Sequence, residues 1–383
     1  MNKEFLKDIR KTFVRKFAAN PVLSYAPGRI NLIGEHTDYN GGYVFPAAID
    51  KGVTSAVASN GEDVCRVYAM NNDEYYEFDI HNISSIPNGG WRNYVVGVTY
   101  QLLKLDLPIE GFNLVFAGDV PVGSGLSSSA ALENSIVVGL NSLFDLKLSK
   151  EKMIRISQQA EHEFAGVQCG IMDQYASMFG KENHAFMLNC DTMDTMYVKV
   201  DLKEYELVLI NSKIHHELSG SAYNERRELC ESVASKLEVS HVSELNEPIL
   251  RDHKSELTED EFRKALYIIM ENERVQLAFK ALKIGSIISL GSLMYASHHG
   301  LQYKYEVSCP EIDFLVDAAR KSGVVIGSRI MGGGFGGCTL NLVHKGSENE
   351  LEQICLLYKK EFNIAPSFIH VRLGDGAKIL ENE

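Results

Sequence analysis

The chain has 383 residues, 45% of them hydrophobic and 23% charged, the balance of a globular protein long enough for two domains. Its 51 acidic and 38 basic side chains give a net charge of −13, which excludes a nucleic-acid binder, whose footprint is basic. The same charge argues against phosphate binding, yet the glycines argue for it: four, three and six of the 31 fall within 27–42, 118–125 and 327–337.

The first 26 residues read as an amphipathic helix followed by a strand at 22–26. Charged residues run through the first 17 positions, where a signal peptide would need an apolar run. No stretch approaches the ~18 apolar residues of a membrane span. Seven scattered cysteines, never spaced CxxC, suit neither a disulfide framework nor a zinc site and read as small core residues. A reduced, cytoplasmic chain is expected.

Strand signals dominate from 43 to 80, at 43–50, 52–59, 64–70 and 75–80. Asn60-Gly61 between two of these runs reads as a hairpin turn. A helix is expected at 91–105 and a strand at 111–117. The segment up to Phe144 is apolar on nearly every face and reads as a buried helix. Ser149 is placed to cap a helix reaching about Ala165, and a short helix follows around Asp173. Strands are expected at 185–190, 196–200 and 205–212, then a helix over 221–239. Thr258-Glu-Asp-Glu261 is a capping box that opens a long helix. The acidic segment 244–261 otherwise reads as a solvated face. Two alternating runs, 324–330 and 338–343, flank the last glycine cluster. Strands mixed with helices in both halves give an α/β (α+β mixed) fold.

The central cluster, Gly118-Asp-Val-Pro-Val-Gly-Ser-Gly-Leu-Ser-Ser-Ser-Ala-Ala131, joins a strand to a helix. Gly123 and Gly125 let backbone approach a ligand closely, and Ser127, Ser128 and Ser129 sit at the helix N-terminus, where N–H groups and the dipole favour an anion. A serine-capped helix after a tight turn has the same composition. It is not a Walker A loop, because Ser124 stands where that motif needs lysine. Gly332-Gly-Gly-Phe-Gly-Gly337 contains a formal GxGxxG, but an alternating strand follows it, not the helix a dinucleotide fold requires. A kinase glycine loop fails as well, since no VAIK, HRD or DFG follows. A wide hairpin turn and a close approach to a ligand both remain open for it. Between the glycines of 27–42, Glu35, His36, Asp38, Tyr39 and Asn40 could form a hydroxyl-binding surface suited to a sugar, or an ordinary polar loop.

Residues 28–42, GRINLIGEHTDYNGG, resemble the signature of the galactokinase family. Residues 120–133, VPVGSGLSSSAALE, resemble the second motif of the GHMP small-molecule kinases, and 331–343, MGGGFGGCTLNLV, the third. Two further galactokinase-like segments are 160–180, AEHEFAGVQCGIMDQYASMFG, and 221–230, SAYNERRELC. The five lie in family order from about 20 to 345.

The resemblance implies a two-domain GHMP kinase fold: an S5-like domain over 1–190 and a ferredoxin-like domain over 191–383, with the active site in the cleft. It implies transfer of phosphate from Mg-ATP to the C1 hydroxyl of α-D-galactose, giving galactose 1-phosphate and ADP, the first committed step of galactose use. By that pattern Asp173 is the catalytic carboxylate and Arg29 the arginine beside it. Glu35, His36, Thr37, Asp38, Gly170, Asp173 and Tyr223 match sugar-contacting positions. Gly123, Ser124, Gly125, Leu126, Ser127, Ser128 and Ser129 match the ATP phosphate loop, with Gly332, Gly333 and Gly334 on its far side. Ser129 and Glu161 match the Mg2+ site. Relatives carry threonine where this chain has Met331, so that hydroxyl is missing here. An N-acetylgalactosamine or other sugar 1-kinase is the nearest alternative. A non-catalytic galactose sensor is a second, disfavoured by the intact run Ser127 to Glu133. A dinucleotide-dependent oxidoreductase is more remote. No protein partner, nucleic acid or membrane is implied, and the size suits a monomer.

Overall fold

The computed structural model describes residues 3–120, 125–215 and 219–381. The chain opens with α1 (Lys3–Phe17) and β1 (Val22–Asn31), then β2 (Tyr43–Val44), β3 (Pro46–Ser59), β4 (Val64–Ala69) and β5 (Glu74–Asp79). Next come α2 (Trp91–Leu103), β6 (Phe112–Gly118), α3 (Ser128–Leu143), α4 (Lys150–Ala160) and α5 (Met172–Phe179). The strands β7 (His184–Asn189), β8 (Thr195–Lys199) and β9 (Tyr205–His215) lead to α6 (Ser219–Lys236), α7 (Glu247–Asp252), α8 (Glu259–Lys283), α9 (Ile287–Gly300) and α10 (Pro310–Lys321). The chain ends with β10 (Val325–Ile330), β11 (Gly336–His344), α11 (Glu348–Phe362), β12 (Ser367–Val371) and β13 (Lys378–Leu380).

The first sheet has the order β13-β1-β3-β6-β4-β5. Period-two alternation sends neighbouring residues to opposite faces. On β6, Leu114 packs with α2 and α3 residues such as Val95, Val98 and Ile136, whereas Val115 packs with Ile9 and Phe13 of α1. Both faces are therefore buried. The runs at 43–50 and 52–59 belong largely to one long strand, β3.

The expected Asn60-Gly61 hairpin is not formed. β3 and β4 flank that turn, but β6 lies between them, antiparallel to β3 and parallel to β4. The reason is local: Asn60 N–H donates to the Gly111 carbonyl at 3.1 Å and Gly111 N–H to Glu62 at 2.7 Å, so the turn binds the entry to β6.

The second sheet has the order β10-β11-β9-β12, all antiparallel. In sequence terms that is 2-3-1-4, with helices inserted after the first and third strands, the split β-α-β arrangement of a ferredoxin-like unit. One face carries α10 and α11 through Val208, Ile210, Leu315 and Ile354. The other face joins the halves of the molecule. There Leu207, Leu209 and Leu340 share a core with Ile30, Leu32 and Phe45, and with Val275 and Ala278 of α8. A small sheet, β2-β7-β8, lies beside α8. The final strand, β13, returns to pair with β1.

Two expected caps are present. Ser149 accepts from Lys152 N–H at 3.2 Å. Thr258 and Glu261 exchange the reciprocal bonds of a capping box. Most of 244–261 is exposed, as its composition suggested, but Leu245, Leu250 and Glu261 are buried. No helix among the described residues is long and apolar enough to cross a membrane.

Candidate active site

The three glycine windows meet at one place. The loop 31–43 leaves β1, passes a turn at Asp38–Asn40 and returns through β2. Its backbone is held from outside: Glu271 of α8 accepts Gly34 N–H at 2.9 Å, the Tyr267 hydroxyl donates to the Glu35 carbonyl at 3.1 Å, and Asn272 accepts Tyr43 N–H at 2.6 Å. These contacts support His36 in the left-handed region, at φ 64°, which is sparsely populated without glycine.

The second and third windows touch each other. A Cβ on Gly332 would lie 3.2 Å from Gly125 Cα, and one on Gly125 would lie 2.9 Å from the Met331 carbonyl oxygen. Both glycines have positive φ, so side chains are excluded by strain as well as by space. The third window is a strand-turn-strand, β10 to β11, as its alternation suggested. Met331, standing where a threonine was expected, is buried in the core that joins the two halves.

A cavity of about 260 Å³ opens between these loops. It is lined by Arg29, Glu35, His36, Asp38, Glu161, Asp173, Tyr223 and Gly332 to Gly334, among others. Drug-sized ligands fill roughly 300–1,000 Å³, so a compact polar molecule suits it better. A larger cavity, about 740 Å³, lies between α1 and β13 and contains none of these residues.

Arg29, on β1, grips Asp173 in the first turn of α5. Its Nε donates to Oδ1 and its Nη2 to Oδ2, both at 2.8 Å, a bidentate fork. Nη1 donates to the Gly125 carbonyl, which ties the fork to the phosphate-type loop. Burial alone would lower the Arg29 pKa, but Asp173 and Glu35 outweigh it and the net shift is upward. Ser127 stands at the N-cap position of α3 in a left-handed conformation, φ 57°. It does not cap the helix. Its hydroxyl donates to Asp173 Oδ2 instead, so the serine-cap alternative is not what this serine does.

Ser129 donates to Glu161 Oε1 at 3.1 Å. Gln174 donates to Oε2 at 2.9 Å. Burial, reinforced by the Asp173 charge, pushes Glu161 up to about 7. A hydroxyl and a carboxylate side by side form a hard-oxygen pair of the kind Mg2+ takes alongside substrate phosphates. No cluster of three acidic, histidine or cysteine side chains able to hold a metal exists among the described residues. Any cation here would draw its remaining ligands from phosphate and water.

Asp38 is raised to about 7, by burial first and by Asp173 second. Gly170 lies against it: a Cβ there would fall 2.1 Å from Asp38 Oδ2. Gly170 thus seats Asp38 and is not on the cavity wall. Thr37 also faces away, its hydroxyl directed at the Gly34 and Tyr43 carbonyls of its own loop. The Tyr223 ring packs on His36 and Tyr39, with centroids 5.3 and 5.4 Å away. Gly123 and Ser124 lie outside the described residues. Leu126 is buried in the same inter-half core as Met331.

One residue that motif reading missed is central. Arg329, wholly buried on β10, donates to Glu35, and Gly332 N–H donates to the same Oε1 at 2.9 Å. Burial raises the Glu35 pKa, and the Arg329 and Arg29 charges offset part of that. The available signal was an arginine within the apolar alternation 324–330, immediately before the third glycine window.

Residues 11–59 match the galactokinase galactose-binding signature, 93–181 the N-terminal domain of the GHMP kinases and 278–359 their C-terminal domain. The galactokinase of Clostridium acetobutylicum is 38% identical, covering 92% of this chain and 93% of its own. That of Bacillus subtilis is 37% identical over 94% of each. The chain belongs to the galactokinase family. The crystal structure of Lactococcus lactis galactokinase complexed with galactose superposes with a TM-score of 0.94 at 33% identity, covering 98% of this chain and all of that one. Methanococcus jannaschii mevalonate kinase, at 18% identity and TM-score 0.65, shares the fold. The galactokinase-family signature coincides with the loop that supplies Glu35, His36 and Asp38 to the cavity.

Proposed function

We propose that this protein is a galactokinase, transferring the γ-phosphoryl group of ATP to the C1 hydroxyl of α-D-galactose. The observation that carries the reading is the Arg29–Asp173 fork at the junction of the galactose-signature loop and the serine-glycine loop. On one side lie Glu35, His36, Asp38 and Tyr223, for the sugar. On the other lie Gly125 to Ser129 and the N-terminus of α3, for the triphosphate. Gly332 to Gly334 border both. In this reading the cleft lies between an N-terminal domain, 1–190, and a C-terminal one, 191–383, except that β8 and β13 pair back onto the strands of the first.

Phosphoryl transfer needs positioning and charge neutralisation more than covalent chemistry. The sugar C1 oxygen attacks the γ-phosphorus, its proton passes to Asp173, and the bond to the β-phosphate oxygen breaks to release ADP. Arg29 holds both Asp173 oxygens in place and presents positive charge beside the moving phosphoryl group. With both Asp173 oxygens held in the fork, orientation of the hydroxyl carries much of its effect. Ser129 and Glu161 would hold Mg2+, which when bound neutralises phosphate charge. Backbone N–H groups at the start of α3 supply the remaining anion donors.

The net charge of −13 is compatible with this, because anion binding is local: amides, a helix end and a metal act within a few ångströms, while net charge describes the outer surface. An ATP-coupled assay across galactose, glucose and N-acetylgalactosamine tests the reading. Galactose is expected to be fastest; a faster rate with N-acetylgalactosamine transfers the assignment to that sugar, and no turnover with galactose refutes the galactokinase reading.

A further inference from the structure

Behind the Ser129–Glu161 pair stands a side chain that the reaction described above does not use. Gln174 is wholly buried on α5, directly after Asp173. Its Nε2 donates to Glu161 Oε2 at 2.9 Å and reaches Glu133 Oε2, on α3, at 3.4 Å. The Cys169 thiol also points at Glu161 Oε2, at 3.6 Å. Oε2 is thus the oxygen held from inside the protein. Oε1 is the one beside the Ser129 hydroxyl, at 3.1 Å, on a carboxylate that borders the cavity.

Resting on the kinase reading, in which Ser129 and Glu161 hold Mg2+, we propose that Gln174 is a positioning residue for that cation: acting through Glu161, it keeps Oε2 turned inward so that Oε1 is presented beside Ser129. A glutamate side chain has three rotatable bonds, and an unheld one loses that freedom only when the cation binds. The Gln174 bond removes it beforehand, which favours binding. Partners of this kind, standing behind a metal ligand, orient it and tune its affinity.

Three observations support the assignment. The amide faces the carboxylates with its nitrogen: reversed, its oxygen would meet two carboxyl oxygens that, ionised, have no proton to give. Gln174 Oε1 is correspondingly left buried without a partner, so the side chain is oriented for Glu161 and not for its own full satisfaction. Its backbone is also pinned. Asn134 Nδ2, on α3, donates to the Gln174 carbonyl at 2.9 Å, and the Ser157 hydroxyl, on α4, donates to Asn134 Oδ1 at 2.9 Å. Glu161 itself opens the π-helical turn that follows α4, where the regular helical ladder is interrupted. One turn of α5 therefore carries the catalytic carboxylate, Asp173, and anchors the metal carboxylate through the next residue.

The test is Gln174→Met, which keeps the length of the side chain and removes the amide. Mn2+ titrations followed by electron paramagnetic resonance, with a non-hydrolysable ATP analogue present, should show half-saturation raised about 10- to 100-fold, the usual effect of losing a partner behind a metal ligand. Affinity for the analogue without metal, and for galactose, should stay unchanged by calorimetry. In a Glu161→Gln background, Gln174→Met should weaken Mn2+ binding no further, because its route to the cation is already lost. Gln174→Asn, one methylene shorter, keeps an amide in the protein but withdraws it from Oε2. It should show the same split, and it carries the test if the methionine variant does not fold. The Mn2+ readout needs neither sugar nor turnover, so it decides the role of Gln174 separately from the choice of substrate. Unchanged Mn2+ half-saturation overturns the proposal. So does an equal loss for metal, metal-free nucleotide and galactose, the mark of a merely structural role, or a full additional loss in the Glu161→Gln background.

Discussion

Arg29 and Asp173 are 144 residues apart in sequence and joined by two parallel hydrogen bonds of 2.8 Å. The fork leaves Asp173 partly open to solvent while Arg29 is buried, so the arginine acts as a fixed frame and the carboxylate as the exposed edge. Asp173→Asn keeps the shape and loses the charge. It is expected to retain galactose binding, measured by calorimetry, while kcat falls about 10²- to 10⁴-fold, the usual range for a positioned acid-base group. A variant with near-normal turnover would remove Asp173 from the mechanism. Arg29→Lys should also lose turnover, because an ammonium cannot reproduce the planar fork.

Glu35 and Arg329 are the second such pair, and both are buried. Arg329→Met should leave an unpaired buried carboxylate and cost about 3–5 kcal/mol in unfolding free energy. The double variant Glu35→Gln with Arg329→Met removes that charge and should recover part of the loss in denaturant melts. Its galactose KM should nevertheless stay high, since Glu35 also lines the cavity. Full recovery of both would mean that the pair has no role in the site.

These pairs mark the limit of what the sequence discloses. Signals that act within a few residues were legible: the Ser149 and Thr258 caps, the buried α3 and the strand-turn-strand at the third glycine window. Each reports a local backbone preference. The insertion of β6 between β3 and β4 was not legible, because Asn60-Gly61 specifies a turn and says nothing about which strand fills the adjacent edge. Arg329 was missed for the same reason, since its partner is 294 residues away. Among the sugar-site residues, motif resemblance carried Thr37 and Gly170 along with their neighbours; packing separates them, turning Thr37 onto its own loop and placing Gly170 behind Asp38.

Gly170→Ala follows from that separation. The new Cβ would overlap Asp38 Oδ2, so the carboxylate must move. Galactose KM should rise roughly tenfold or more, with a stability loss of about 1–3 kcal/mol from overpacking. Nucleotide affinity, measured with a non-hydrolysable ATP analogue, should be unchanged. A normal galactose KM would show that Asp38 does not contact the sugar.

Two carboxylates, Asp38 and Glu161, are held near 7 by burial and by the Asp173 charge. In the unfolded chain both titrate near ~4. Between about pH 4 and 7 the folded protein therefore binds more protons than the unfolded one, and its stability falls as pH rises through that window. His36 works the other way: lowered to about 3, it favours the folded state as pH rises from about 3 toward 6.5. The wild-type profile mixes these signs, so the difference between variants is the clean quantity. Glu161→Gln should gain about 1–3 kcal/mol over the wild type at pH 8 and little at pH 4, by denaturant titration of ligand-free protein. The same variant should lose the Mg2+-dependent part of nucleotide binding, because the wild-type carboxylate can ionise to accept the cation and the amide cannot. Wild-type Mg2+ dependence should accordingly weaken as pH falls below about 7. A variant whose pH-stability difference is flat would show that Glu161 is not the proton store, and retained Mg2+-dependent binding would show that it is not the metal ligand.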